Sequence, residues 1–396
     1  MSRLRTLEDL GELGGRRVLV RCDFNVPMEG GRITEDMRIR AAVPTLTELL
    51  RGGASVVACS HLGRPRGKVV EDLRMAPVGS RLAELLDQPV DSLEEITGAS
   101  VEGAVEASSP GSVTLLENLR FDPREERNDA GFAKELASLG DAYVDDAFGA
   151  AHRAHASVEA VAHLLPSAAG RLVQAEVEAL SRLREDPERP FVAILGGAKI
   201  SDKLGVVNAL IDRVDALLIG GAMAFSFLAA QGIEVGASLV EPDRYGECLA
   251  ALDRAKERGI ELVLPSDFVV APEANESAER RIVSAGAIPP ATMGLDVGPS
   301  TADAFGRLIG GARTLFWNGP MGMFELEPFA EGTRAVANAV ALCPGFTVAG
   351  GGDSIAALAR LGLTGAVDHL STGGGASLEY VEGHDLPGLT ALMEDD

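Results

Sequence analysis

At 396 residues, 46% hydrophobic and 24% charged, the chain has the length of two or three globular domains and an ordinary composition for them. A formal charge of −23 excludes nucleic acid or an anionic membrane surface as the main partner, since both demand clustered positive charge. No apolar run is long enough to span a bilayer, MSRLRTLEDL at the N-terminus has no apolar signal core, and Cys22, Cys59, Cys248 and Cys343 show neither zinc nor CxxC spacing, so a cytoplasmic protein with buried free thiols is expected.

Taken in order, short apolar runs read as strands, and each ends in polar or Gly-rich residues. Arg17 to Cys22 leads into Asp23-Phe24-Asn25, and Ala54 to Cys59 into Ser60-His61-Leu62-Gly63-Arg64. Ser112 to Leu116 leads into Glu117-Asn118-Leu119-Arg120, and Ala142 to Val144 into DDAFG and then His152-Arg153-Ala154-His155. Arg171 to Glu185 reads as one amphipathic helix, stopped by Pro187 and Pro190. Beyond it, Phe191 to Leu195 leads to GGAK and Ala216 to Ile219 to GGAMAF. Arg313 to Trp317 leads to NGP, and Phe346 to Ala349 to GGGDS. Helical patterns lie between, over Arg38–Arg51, Ala76–Leu86, Ser201–Ile211, Arg244–Arg258, Phe329–Leu342 and Ser354–Leu361.

Strand–helix alternation of this kind predicts α/β architecture. The expectation is two doubly wound, Rossmann-like parallel-sheet domains joined by the Arg171 helix, with a cleft between them. Their bounds are 1–170, a hinge helix over 171–186, and 187–383, with the tail 384–396 packing back on the first domain or fraying. Ligands of open parallel sheets bind beyond the strands' carboxyl ends, which is where the charged and Gly-rich residues fall.

The two halves differ in chemistry. In the first, Arg21, Asn25, Arg38, His61, Arg64, Arg120, His152, Arg153 and His155 stand at strand ends, and several converging guanidinium forks suit a small anion with more than one charged group. HRAH has a three-residue histidine step without an acidic partner, so hydrogen bonding or helix capping is favoured there over a metal. In the second half, only five lysines occur in the whole chain, and two of them are Lys199 and Lys203. GGGDS and STGGGAS bring backbone N–H groups to helix starts, which suits a polyphosphate. Asp353 reads either as a Mg²⁺ carboxylate or as a helix cap. There is no Walker A sequence, no G-x-G-x-x-G in the first βα unit, no kinase HRD or DFG and no G-x-S-x-G elbow. A two-lobed phosphotransferase fits these residues, with a nucleotide-binding scaffold without turnover as the reading from another class.

VRCDFNVP, SHLGRP, LLENLRF, DDAFGAAHRAHAS, ILGGAKISDK, WNGPMGMFE, GGGDS and STGGGASLE together resemble phosphoglycerate kinases, in that family's order and over nearly the whole chain. The resemblance implies acyl-phosphate transfer between 1,3-bisphosphoglycerate and ADP, giving 3-phosphoglycerate and ATP, with Mg²⁺, by a monomer. It also implies that Asp23, Phe24, Asn25, Arg38, His61, Leu62, Gly63, Arg64, Arg120 and Arg153 bind the phosphoglycerate. Lys203, Gly294, Glu325, Gly352, Asp353 and Ser354 would hold the nucleotide, with Asp353 on the metal. Arg38, Lys199, Lys203, Gly352 and Gly374 would serve the transferring phosphoryl group. Met321 and Met323 stand where valine is common in the family.

Overall fold

A computed structural model describes residues 3–394. The chain divides into two compact units. One runs to Glu178 and takes back the residues from Asp385 onward, and the other is Ala179–His384.

The first unit is built on six parallel strands: β1 (Arg17–Cys22), β2 (Ser55–Cys59), β3 (Val90–Ser92), β4 (Val113–Leu115), β5 (Ala142–Asp146) and β6 (Ser167–Ala169). Their spatial order is β3-β4-β2-β1-β5-β6, so the winding reverses at β1. β2 and β5, with β1 between them, therefore flank the crevice where a parallel sheet receives its ligand. β2 and β5 are buried at every position, as expected when helices cover both faces of a sheet. Val18, Val20, Val56 and Val144 pack with Ile39 and Leu46 of the helix Met37–Arg51 and with Val78 and Leu82 of the helix Ala76–Leu86.

The second unit repeats the plan with β7 (Phe191–Leu195), β8 (Ala216–Ile219), β9 (Glu261–Val263), β13 (Thr314–Asn318), β14 (Phe346–Gly350) and β15 (His369–Ser371), ordered β9-β8-β7-β13-β14-β15. Here the reversal falls between β7 and β13. Between β9 and β13 the chain inserts an antiparallel sheet that the strand–helix alternation did not predict: β10 (Asp267–Ala271), β11 (Arg281–Ser284) and β12 (Met293–Val297), ordered β11-β10-β12.

The helix predicted over Arg171–Glu185 spans Arg171–Arg184, and the division between units falls inside it. Its first turn belongs to the first unit. Leu172 N–H donates to Asp146 Oδ1 (2.9 Å), Arg171 N–H donates to Thr45 Oγ1 (2.8 Å), and the Arg171 guanidinium pairs with Glu8 and Glu48. Its last turns belong to the second, where Ser181 Oγ shares a 2.7 Å hydrogen bond with the Tyr380 hydroxyl and Arg182 lies over the Phe346 ring. The buried stripe is Val173, Glu176, Ala179, Leu180 and Leu183. Ala175, counted as apolar periodicity in the sequence, is exposed.

The tail is ordered against the first unit. Leu386, Leu389 and Leu392 are buried, Leu4 bridges Met393, and Gly388 N–H donates to Ala151 C=O (2.9 Å). A Cβ at Gly388 would stand 2.7 Å from Val158 Cγ1 and 2.9 Å from Ala151 Cα. Gly388→Val should therefore destabilise the first unit by about 1–3 kcal/mol. In urea, far-UV circular dichroism should show an earlier transition that Trp317 fluorescence does not follow, since Trp317 is the sole tryptophan and lies in β13. An unchanged far-UV midpoint would refute the idea that the docked tail helps hold the unit together.

Candidate functional site

In the first unit the loops after β1, β2 and β4 are tied into one cluster. Asp23 is buried, and Oδ2 accepts from Arg38 Nη1 (2.9 Å). Asn25 Oδ1 accepts from Gly63 N–H (2.8 Å), which joins the β1 loop to the β2 loop. Gly63 C=O accepts from Arg120 Nη1 (2.8 Å), which joins the β4 loop, and Glu126 pairs with Arg120 Nε at 3.3 Å. Burial holds the Arg120 guanidinium below its ordinary pKa. His61 is buried beside Arg21, with Nδ1 3.0 Å from Nη2. After β5, Arg153 Nε donates to His152 Nε2 (3.0 Å). Arg64 is exposed and makes no hydrogen bond or ion pair among the described residues.

Two expected substrate contacts turn the other way. The Phe24 side chain is fully buried in the core, its N–H donates to Ser60 Oγ (2.8 Å) and its C=O accepts from Val26 N–H. Leu62 is buried too, and both its backbone groups are bonded to the Asn118 amide. These residues anchor the loops that carry Asp23, Asn25, His61 and Gly63. Asn118 therefore matters in a way the motif LLENLRF did not disclose. Its side chain also accepts from Arg120 N–H and donates to Leu73 C=O, so one amide fixes the β2 and β4 loops together.

In the second unit the glycines after β7, β8 and β13 pack backbone on backbone. Gly196 N–H donates to Asn318 C=O (2.9 Å), Gly197 to Pro320 (3.1 Å) and Gly221 to Met321 (3.1 Å). Beside this floor opens a cavity of about 630 Å³. Its walls are Phe225, Leu239, Phe268, Met293, Met323 and Leu326, with Gly294, Glu325 and Asp353 among the lining residues. Three of the predicted nucleotide residues thus meet there, and the apolar walls from β10 and β12 are the part that the sequence reading missed. Gly294 is there because the Phe225 ring tip would lie 2.1 Å from any Cβ. Met321 is buried, with Sδ 2.3 Å from where a Cβ on Gly220 would stand, while Met323 is 40% exposed on the cavity wall. Asp296 also lines the cavity. Its carboxyl accepts from Val297 and Gly332 N–H, and burial pushes its pKa up to about 7.

The remaining second-unit residues stand outside the cavity lining. Lys203 Nζ donates to Asn318 Oδ1 and, at 3.3 Å, to Asn318 C=O. Burial pushes its ammonium down to about 8, against the opposing pull of Asp353 and Asp202. Lys199 is exposed. Ser354 is fully buried and its Oγ accepts from Gly319 N–H (2.6 Å), so this hydroxyl tightens the β13 turn. Gly351, at φ +88°, starts the helix Gly352–Arg360, and Gly374, at φ +57°, starts the helix Gly375–Glu382. A Cβ on Gly352, Gly374 or Gly375 would meet no atom within 4 Å.

Among the described residues no group of three or more His, Cys, Asp or Glu side chains is placed to hold a metal ion. Asp353 is a single exposed carboxylate at a helix N-terminus. That donor set fits an ion carried in on phosphates, since Mg²⁺ takes few carboxylates beside phosphate and water. A second cavity, of about 430 Å³, is walled by Glu8, Glu12, Glu48 and glycine backbone in the first unit, and its lining holds no cation.

A family model described as phosphoglycerate kinase matches residues 7–384. The chain is 57% identical to a phosphoglycerate kinase of Thermomicrobium roseum, over 99% of this chain and 100% of that one. It is 56% identical to one of Roseiflexus castenholzii, over 98% and 99%. Among solved structures, phosphoglycerate kinase from Coxiella burnetii superposes with a TM-score of 0.88 at 40% identity, covering 98% of this chain and 99% of that one. The Pyrococcus horikoshii enzyme gives 0.84 at 34%, covering 98% of each.

The Lys203 environment yields a titration that can be read directly. Below pH 8 the ammonium is charged, and as pH rises through about 8 the charge is lost. NMR of lysine labelled at the ε carbon resolves five signals at most. One should titrate near 8, and inorganic tripolyphosphate should raise that value by adding negative charge beside it. A Lys203 signal that titrates at 10 or above in the free protein would refute the burial argument.

Proposed function

The chain belongs to the phosphoglycerate kinase family, and from there we propose how its two units divide that family's reaction. The reaction is reversible transfer of the acyl phosphate of 1,3-bisphosphoglycerate to ADP, giving 3-phosphoglycerate and ATP, the substrate-level phosphorylation of glycolysis. Phosphoglycerate binds the first unit at Asp23, Asn25, His61, Gly63, Arg64, Arg120 and Arg153. Phe24 and Leu62 act as anchors of that site. ADP binds the second unit, its adenosine in the 630 Å³ cavity by Gly294 and Glu325, its phosphates at the helix N-terminus of Gly352, Asp353 and Ser354.

The observation that supports this division is the helix N-terminus bearing Asp353, whose charge acts through space on the buried Lys203 ammonium. A partly desolvated cation and a lone carboxylate flank three N–H groups that a helix leaves without internal partners. Asp353 would hold Mg²⁺ on the nucleotide, and the ion when bound neutralises phosphate charge. In transfer, an oxygen of the ADP β-phosphate bonds to phosphorus while the bond to the carboxyl oxygen breaks, and charge spreads over the equatorial oxygens. Arg38 faces the carboxyl end, exchanging part of its bond to Asp23 for the leaving carboxylate. Lys203, assisted by Lys199, follows the phosphoryl group, and the N–H groups around Gly374 receive its oxygens. No proton moves, so positioning and preorganised charge suffice. Turnover requires the two sites to meet while both are loaded. Among the described residues no helix is long and apolar enough to cross a membrane. We also place the protein in the cytoplasm as a monomer. Light scattering should give the mass of one chain.

A coupled assay tests the whole reading: 3-phosphoglycerate and MgATP, with the product reduced by glyceraldehyde-3-phosphate dehydrogenase and NADH. Turnover should vanish without Mg²⁺ or 3-phosphoglycerate, and folded protein without turnover would overturn the reading. Arg38→Ala should lower kcat by about 100- to 1,000-fold, the scale of a lost transition-state donor, with KM for ADP within about twofold. Retained kcat would remove Arg38 from the chemistry. Gly352→Ala should leave the urea midpoint in place, since its Cβ enters open space, yet raise KM for ADP about tenfold, ~1.4 kcal/mol. Unchanged KM would move the phosphates elsewhere.

A further inference from the structure

Arg21 is the penultimate residue of β1, and its side chain is fully buried, behind the residues that face the first unit's crevice. Nε donates to Ser157 Oγ (2.8 Å), Nη1 to Cys22 C=O, and Nη2 lies 3.0 Å from His61 Nδ1. A guanidinium has N–H donors and no lone pair. The His61 Nδ1 must then be the acceptor, which leaves the ring neutral with its hydrogen on Nε2. Among the described residues nothing meets that Nε2. Glu125, also fully buried, balances Arg21 and holds Ser157 through both oxygens (2.5 Å to Oγ, 3.0 Å to N–H).

We propose that Arg21 is a positioning residue: it fixes His61 as the neutral Nε2–H tautomer and so presents one uncharged donor to the phosphoglycerate. The proposal rests on reading this cluster as the phosphoglycerate site. His61 then neither titrates nor serves as a base, and the positive charge there belongs to Arg38, Arg64, Arg120 and Arg153. The surroundings agree from every side. Burial, Arg21 from β1, Arg120 from the β4 loop, Arg38 from its helix and His155 from the β5 loop all oppose a second proton on the ring and hold its pKa well below the usual histidine range.

The test begins with the wild-type chain. With histidine labelled in ¹⁵N, long-range correlation spectra separate the six rings. His61 should show a protonated Nε2 and a bare Nδ1, unchanged from about pH 5.5 to about 8, where an ordinary imidazole would titrate. 3-Phosphoglycerate should shift the Nε2 signal. A hydrogen on Nδ1, or titration inside that range, would overturn the proposal. A correct tautomer that 3-phosphoglycerate leaves unmoved would instead overturn the site reading and the aim of the donor, while Arg21's hold on the ring stood. Arg21→Met alone strands Glu125, so it is paired with Glu125→Gln, which removes both buried charges. In that variant His61 should titrate or mix tautomers, and KM for 3-phosphoglycerate should rise about tenfold while KM for ADP stays within about twofold. Retention of the Nε2–H tautomer and of KM in the double variant would also overturn the proposal.

Discussion

At the carboxyl end of a parallel strand the hydrogen-bond ladder stops, and the last amides and carbonyls still need partners. Everything functional in this protein is arranged around how that need is met. The first unit meets it with side chains. Ser60 takes Phe24 N–H, Asn25 takes Gly63 N–H, and Asn118 serves Leu62 and Arg120 at once. Each such bond ties a loop down, and Gly63 C=O on one of them accepts from Arg120. The second unit meets the same need mainly with backbone, by bonding the chain after β7 and β8 to that after β13, while Ser354 Oγ and Thr333 Oγ1 take Gly319 and Met321 N–H. This requires glycine: a Cβ on Gly221 would lie 2.5 Å from Gly197 N, and one on Gly319 would lie 2.3 Å from Gly196 O. The first solution makes a polar cluster and the second a bare floor beside an apolar cavity. Two ligand chemistries follow from one constraint.

The chain's charge of −23 is at odds with the two proposed anion sites only if charge is summed over the whole molecule. At physiological ionic strength exposed charges are screened beyond roughly 8–10 Å. What counts at the proposed site is local: Arg38 on Asp23 and Arg120 on Glu126. These pairs also answer a difficulty of unliganded sites. Guanidiniums left alone would repel one another and drift. Asp23 holds Arg38 in place and Glu126 holds Arg120, and in the proposed reaction a substrate carboxylate or phosphate takes over part of that bond at a small cost in reorganisation.

The long central strands were legible because both faces of each sheet are covered. Burial on both faces makes the apolar run continuous, and runs such as VVAC and FVAIL stand out. The edge strands Val90–Ser92, Ser167–Ala169 and His369–Ser371 are three residues each, with compositions no different from loops, and they exist because a neighbour offers a ladder. The antiparallel sheet broke the alternation that the reading relied on. Strand-end position singled out Arg38, His61, Arg120, Lys203 and Asp353 as candidates, although Arg38 lies on the helix Met37–Arg51 rather than at a strand end. Resemblance, rather than spacing, supplied Gly294 and Glu325. Phe24, Leu62 and Ser354 lie inside recognisable motifs yet are buried: Phe24 and Leu62 in the loops after β1 and β2, and Ser354 in the first turn of its helix, where Oγ accepts from Gly319 N–H. Asn118 and Glu125 could not be read at all, since their roles come from partners 32 to 56 residues distant.

Glycine shows how far such motifs can be taken. GGAK, GGAM, NGP, GGGDS and STGGGAS look alike as sequence, and all suggest backbone approaching phosphate. The structure separates them by what an added Cβ would meet. At Gly196, Gly221 and Gly319 it would meet the protein's own backbone, so the fold demands glycine there whatever the ligand. At Gly352 and Gly375 it would meet open space at ordinary φ, so the fold makes no such demand. Open space alone does not mark a ligand, since a Cβ on Gly246, in the first turn of the helix Tyr245–Arg258, would also meet nothing within 4 Å. What sets Gly352 and Gly375 apart is their place just beyond the carboxyl ends of β14 and β15, where a parallel sheet receives its ligand, and that supports the proposed phosphate site.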